Sequence, residues 1–415
     1  MTTTRPRTAR RRARQAIDAP ALDQAIAEAE RTALVVWRGE RLAYSALPGR
    51  IAHTSSRGER HGLFSGYLEA VEAINPLREQ RLEALATGAR ESGYDDLVGA
   101  AGEMAGYDPT VLWTELRRFG DESETVYFAA LRRYLALIDI EQGDATVADL
   151  WHVQEGSGWN QWFDERRTAT ALSRTLGGLG LTEPDDAGAH DAVSPWSAAA
   201  ARLRAVGIGA GGSTAGSDAG VDRGQRAAAP AVAAVLGSLL MEPAWLTGEL
   251  GMGDTEVVGF TDFAAFTRLG RIRRDAALLG YELQLHRSDD AAVRRAYFSG
   301  MLGFITGVTT PEPLYLAQVG RPWDAGARVR AEMLAAAIGD ALRARHGPAW
   351  WRVSEAGAEL RELASMSTPE DAVARLGYDS LDWRPVLRQI RTQLIGEMSG
   401  YGGPNITTRA GTRKV

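Results

Sequence analysis

Apolar residues recur every three or four positions across 260–285: Phe263, Phe266, Leu269, Ile272, Ala276, Leu279 and Leu283. That spacing lines one face of an α-helix and cannot line one face of a strand, whose side chains alternate with a period of two. A helix this long must be covered along its whole length, so the rest of the chain has to supply more helices. It does. Leu63, Tyr67, Val71, Ile74 and Leu77 repeat the pattern, as do Val126, Ala129, Leu131, Tyr134 and Leu137 within 121–139. Further helices are predicted over 21–31, 146–154, 160–176, 290–306, 325–345, 355–364, 369–376 and 382–398, with the longest at 260–285. Asp108-Pro109 is a cap followed by a first-turn proline. Asn75-Pro76 falls inside a helical pattern and predicts a kink or a break. The strand signal is confined to 34–44, where two apolar runs flank Arg38-Gly39-Glu40 and read as a hairpin. The expected fold class is mainly α with a small N-terminal β-hairpin.

At 415 residues with 45% hydrophobic and 24% charged residues, the chain can bury a large core and reads as an ordinary soluble globular protein. A net charge of −6 gives no bulk basicity that would point to nucleic acid as the main partner. Cysteine is absent, which excludes disulfides, thiolate metal ligands and a cysteine nucleophile, and fits a cytoplasmic protein. There is no apolar run of about 18 residues, so no membrane span is expected. The basic residues are almost all arginine, with Lys414 the sole lysine, the imprint of a GC-rich genome. Single arginines therefore carry less functional weight than usual. Residues 1–20 form a basic arm with Arg5, Arg7, Arg10, Arg11, Arg12 and Arg14, and no apolar stretch follows that would make a signal peptide. The arm is read as flexible, or as a contact for an acidic partner or nucleic acid.

Two helical lobes are expected, 21–182 with the hairpin at 33–45, and 231–398, followed by a flexible tail at 399–415. Between them lies 183–230, rich in Ala, Gly and Ser, with one short helix candidate at 196–206. It is read as a loop because it offers little apolar surface to offset ordering entropy. Within it, Gly207-x-Gly209-x-x-Gly212 matches the dinucleotide fingerprint in form. It lacks the strand before and the helix after that such a fingerprint needs, so a linker is the expectation.

His152 and Glu155 stand at i, i+3 beside Trp151, Trp159 and Trp162, where they could serve as an acid–base pair or simply hydrogen-bond near a helix end. They are the weak catalytic candidates, with Trp151, Trp159, Tyr297, Tyr315 and Trp323 as candidates to line a ligand pocket. Glu282 and His286, at i, i+4, read as an intrahelical pair. No Gly-x-Ser-x-Gly elbow or phosphate-binding Gly-x-x-x-x-Gly-Lys loop is present.

Three groups of segments resemble the gluzincin oligopeptidases, in particular bacterial relatives of thimet oligopeptidase and oligoendopeptidase F. The first comprises Trp37-Arg-Gly-Glu-Arg-Leu-Ala-Tyr44, Glu72-Ala-Ile-Asn-Pro-Leu-Arg78 and Arg90-Glu-Ser-Gly-Tyr94. The second joins Leu239-Leu-Met-Glu-Pro-Ala-Trp-Leu246 with Arg274-Asp-Ala-Ala-Leu-Leu-Gly-Tyr-Glu-Leu-Gln-Leu-His286. The third is Thr306-Gly-Val-Thr-Thr-Pro-Glu-Pro-Leu-Tyr-Leu316. The resemblance implies a two-lobed fold around a central channel. It also implies zinc chemistry, which needs His-Glu-x-x-His on one helix and a further glutamate on the next. The six histidines are His53, His61, His152, His190, His286 and His346, and no two are four apart. Upstream of the segment at 239–246, where the resemblance implies the third ligand, the chain reads Arg226-Ala-Ala-Ala-Pro-Ala-Val-Ala, with no acid.

The segment 183–230 is therefore expected to be a loop standing where the metal helix has been deleted, and no zinc or other cofactor is expected. The leading expectation is an inactive, peptidase-like binding or partner subunit. A peptide or small molecule would occupy its channel, or it would pair with an active paralogue. An enzyme of different chemistry in the same channel, and an acidic-partner or nucleic-acid binder through the arginine arm, stay open as alternatives.

Overall fold

The computed structural model describes residues 18–184, 194–210, 228–287 and 290–394. The arginine arm, Gly212, His190 and the tail lie outside them. Helix α1 (Pro20–Thr32) leads into the antiparallel hairpin β1 (Leu34–Trp37) and β2 (Glu40–Ala43), in register Leu34↔Ala43 to Trp37↔Glu40. Its two-residue turn places Arg38 and Gly39 at φ of 50° and 84°, the paired positive values that match the twist of the strands. Then follow α2 (Leu47–His53), α3 (Arg57–Glu91), α4 (Leu97–Ala105), α5 (Pro109–Ala136), α6 (Val147–Glu155), α7 (Glu165–Leu179), α8 (Pro195–Gly209) and α9 (Ala229–Gly237). A short α10 (Pro243–Trp245) runs into a π-turn at Leu246–Leu250. Last come α11 (Asp254–Leu285), α12 (Ala291–Thr306), α13 (Asp324–His346), α14 (Ser354–Ala364), α15 (Pro369–Leu376) and α16 (Arg384–Gln393).

The local signals behave as their chemistry requires. Asp108 caps α5 by accepting from the backbone N–H groups of Thr110 and Val111, with Pro109 in the first turn. Proline 76 does not break α3, which runs unbroken from Arg57 to Glu91. Two neighbouring side chains support the turn around it. Arg78 Nη1 donates to the Val71 carbonyl at 3.1 Å, and Asn75 Nδ2 donates to the Pro313 carbonyl at 2.9 Å.

Two apolar cores form, and α11 threads both. Its first half gives Val257, Phe260, Phe263 and Ala264 to one core, and its second half gives Phe266, Leu269, Ile272 and Leu279 to the other. Helix α13 divides in the same way, with Val329 and Met333 in one core and Leu334, Ile338 and Leu342 in the other. The cores therefore do not follow the sequence boundaries at 182 and 231. Helix α7 belongs with α8 to α10, and α16 packs back into the core built by α3 and α5.

The single stripe read along α11 is also too narrow. Asp262, Arg268, Arg273, Asp275 and Glu282, on its other faces, are buried as well. Each has a partner from a distant element, as burial of a charged group demands. Asp262 receives the Tyr134 hydroxyl at 2.6 Å and Arg133; Arg268 binds Glu332; Arg273 reaches Gly120 O and Ser123 Oγ at 2.7 Å; Asp275 binds Arg328.

The helix candidate at 196–206 is α8 (Pro195–Gly209), started by a Ser194–Ser197 capping box; it runs on into the glycine stretch, so that Gly207 and Gly209 are helical and not linker. Helix α8 lies against α9, burying Ala199, Leu203 and Val206 beside Ala231, Val232 and Val235. The two backbones meet at Gly207, where a Cβ would stand 2.4 Å from Ala233 Cα. Gly207 therefore permits a helix crossing and does not begin a phosphate-binding turn.

Candidate functional site

The sequence candidates His152 and Glu155 share α6 but do not bond to each other. His152 Nδ1 donates to the Ala52 carbonyl at 2.7 Å, tying α6 to the end of α2, and burial holds its pKa below the usual imidazole value. Glu155, 1% exposed, turns its Oε1 toward His53 Nε2 at 3.4 Å, while its backbone carbonyl accepts from Trp196 Nε1 at 2.8 Å. Helix geometry alone would put positions three apart on one face; the neighbouring α2 and α8 decide which way each side chain goes.

The aromatic candidates diverge. Trp151 meets Phe64 and Tyr67 edge-on, with ring centres 5.5 and 5.9 Å apart. Trp159 lies in the other core against Phe260, and Arg167 sits over the Trp162 ring. Tyr315 is buried under Arg295, with its hydroxyl on Glu79. Tyr297 is partly exposed and stacks on Tyr281. Trp323 donates its backbone N–H to Glu282 Oε2 at 2.7 Å, and its ring meets His286. These side chains do not converge on one pocket. Glu282 and His286 also fail to form the expected pair. Burial pushes the Glu282 carboxyl up to about 8 and the His286 imidazole down to about 4, so both are neutral at pH 7.

The charged cluster that no sequence pattern indicated lies where α8, α9, α11 and α13 meet. Glu332 of α13 accepts from Arg268 Nε at 2.9 Å and from Arg271 Nη2 at 2.5 Å, both on α11. Arg204 of α8 lies over Gly237 at the end of α9, where a Cβ would stand 2.9 Å from its Nε. Arginine 204 is half-buried, and it has no hydrogen bond or ion pair among the described residues. Burial, reinforced by Arg271, lowers its pKa to about 10. The Glu332 carboxyl resists its own burial because Arg268, Arg271 and Arg204 hold it down at about 2. Two guanidinium groups thus bond one carboxylate, and Arg204 acts on it only through its field. At the rim, Glu242 pairs with Arg343, which also binds Asp340 at 2.7 Å. Arg268 and Arg271 stand three apart on a helix, but no spacing rule links them to Arg204 or Glu332.

Among the described residues, each histidine that contacts a carboxylate contacts just one: His53 with Glu155, His61 with Asp149, and His346 with Glu359. Among the described residues no group of three or more His, Cys, Asp or Glu could hold a metal ion. The facing surfaces of α8 and α9 are apolar.

No family model matches the chain, and neither does any curated protein sequence. Solved structures do. The oligoendopeptidase F of Enterococcus faecium superposes with a TM-score of 0.61 at 13% identity, over 90% of this chain and 70% of that one. A putative oligoendopeptidase F gives 0.65 at 11% identity, over 93% and 78%. PZ peptidase A, solved with an inhibitor, gives 0.61 at 10% identity, also over 93% and 78%. The helical architecture with its N-terminal hairpin is therefore the oligoendopeptidase fold, carried on a sequence that lacks that fold's zinc motif.

Proposed function

We propose that this chain is a peptidase-like protein that works by binding and not by zinc hydrolysis, either as a receptor for a peptide or small molecule or as a subunit of a larger assembly. One observation carries the reading. The fold aligns over nine-tenths or more of the chain with oligoendopeptidase structures, while the full sequence holds no pair of histidines four apart. The apolar contact of α8 with α9 supports it, because restoring ligands there would require opening a close helix crossing. An active paralogue is the partner that the shared scaffold suggests.

The test is elemental analysis of the purified chain, joined to hydrolysis of a quenched-fluorescent peptide library with and without a chelator. Substoichiometric zinc and no chelator-sensitive cleavage are expected. Stoichiometric zinc together with chelator-sensitive cleavage would sink the reading. Different chemistry through His152 and Glu155 draws no support from their geometry, since each faces a partner on a different helix.

A further inference from the structure

The charge imbalance at the four-helix junction carries a ligand-binding inference. A guanidinium taken partly out of water without a counter-charge is costly, and a folded protein normally pairs it. Glu332 is already held by Arg268 and Arg271 through both of its oxygens. Arg271 uses only Nη2 for that bond, and its side chain is 36% exposed, so solvent still reaches it. Arg204, on the opposite helix, has its whole donor fork unused among the described residues. The apolar contact with α9 is made by its neighbours Leu203, Val206 and Gly207, so the guanidinium itself is not part of that packing. The absence of a side chain at Gly237 makes room for it.

We propose that Arg204 and Arg271, with Arg268 and Glu332 fixing the second of them, form an oxyanion-binding site for a carboxylate or phosphate group. Guanidinium forks suit such groups because they donate two parallel hydrogen bonds to adjacent oxygens. The Arg268–Glu332 pair keeps Arg271 in place, so little ordering is left for the ligand to impose. Glu242, the other carboxylate near Arg268, is engaged by Arg343 and burial raises its pKa, so it competes weakly for the free arginine. The inference does not depend on whether the chain cleaves peptides.

The experiment uses the full chain and three probes, read by calorimetry and thermal shift. They are inorganic phosphate, acetyl-dialanine with a free carboxylate, and the same peptide as its amide. Phosphate or the free acid should bind and raise the melting temperature, and the amide should bind at least about tenfold more weakly than the acid. Phosphate binding alone would assign a phosphate source; preference for acid over amide would assign a carboxylate source. Arg204→Met should lower the affinity of the bound probe by about tenfold or more, yet melt at the same or a higher temperature without probe, because an unpaired cation has been removed. Arg204→Lys, which keeps the charge but loses the fork, should fall between the two. The proposal is overturned if neither phosphate nor the free acid binds the native chain. It is equally overturned if Arg204→Met and Arg204→Lys bind the probe as the native chain does, or if both unfold, since Arg204 would then be structural.

Discussion

Two buried glutamates on neighbouring helices titrate in opposite directions, and the reason is the number of arginines each one meets. Glu332 is bonded by two, lies in the field of a third, and is held at about 2; Glu282 is bonded only by the Trp323 backbone N–H, and burial raises it to about 8. The linkage signs follow. A depressed folded pKa gives Glu332 a contribution that is present above the unfolded value near 4.5 and fades as pH falls toward 2. Glu332→Gln should cost about 3 kcal/mol at pH 7, by leaving Arg268 and Arg271 without the negative charge they share, and should flatten the acid limb of a stability–pH curve measured in urea. A raised folded pKa does the reverse for Glu282, whose contribution is present below about 4.5 and lost as pH rises through 8. Glu282→Gln keeps the carbonyl acceptor for Trp323 and should gain on the order of 2 kcal/mol at pH 8 but almost nothing at pH 4.5, in the same measurement. None of this is visible along the chain. Glu282 has the spacing of an ion pair with His286, and only burial shows that both are neutral. Glu332 reads as an ordinary surface acid on a helix until its partners, 61 and 64 positions away, arrive.

At the scale of elements, small residues carry two meanings that composition cannot separate. Gly207 in an Ala- and Gly-rich stretch reads as linker because such residues bury little surface. Within a helix, the same lack of a side chain lets a second helix approach closely. Gly207→Val should drive its branched side chain into Ala233 and cost about 2 kcal/mol or more. Hydrogen exchange should then localise the loss of protection to α8 and α9, whereas a linker reading predicts no change. Proline 76 teaches the complementary lesson. Its ring should interrupt α3, yet the helix runs on through it, with Arg78 bonded to the Val71 carbonyl and Asn75 to the Pro313 carbonyl on either side. Periodicity, caps and the hairpin turn were legible because each depends on neighbours within about four residues. The Arg204 corner was not, because an arginine-rich composition hides any single arginine and its partners come from three other elements.

For the whole molecule, α11 and α13 matter most, since each belongs to both cores. Neither core can lose these helices without exposing apolar surface in the other. Tryptophans lie in both cores, with Trp323 and Trp383 in one and Trp159, Trp245, Trp350 and Trp351 in the other. Urea unfolding followed by tryptophan fluorescence and by far-ultraviolet circular dichroism should therefore give coincident midpoints in one transition. Separate midpoints would mean that the cores unfold independently. Among the described residues no single helix is long and apolar enough to cross a membrane. The sequence by itself determined the helical class, the hairpin, most helix starts and the lack of a His-Glu-x-x-His motif, because these follow from short-range sterics and from spelling. Tertiary structure alone decided that α11 is buried on nearly every side, that α8 closes on α9, and that two arginines 61 and 64 positions away bond one glutamate. Those outcomes depend on which distant surfaces are removed from water together, and desolvation is a property of the assembled fold that no local pattern encodes.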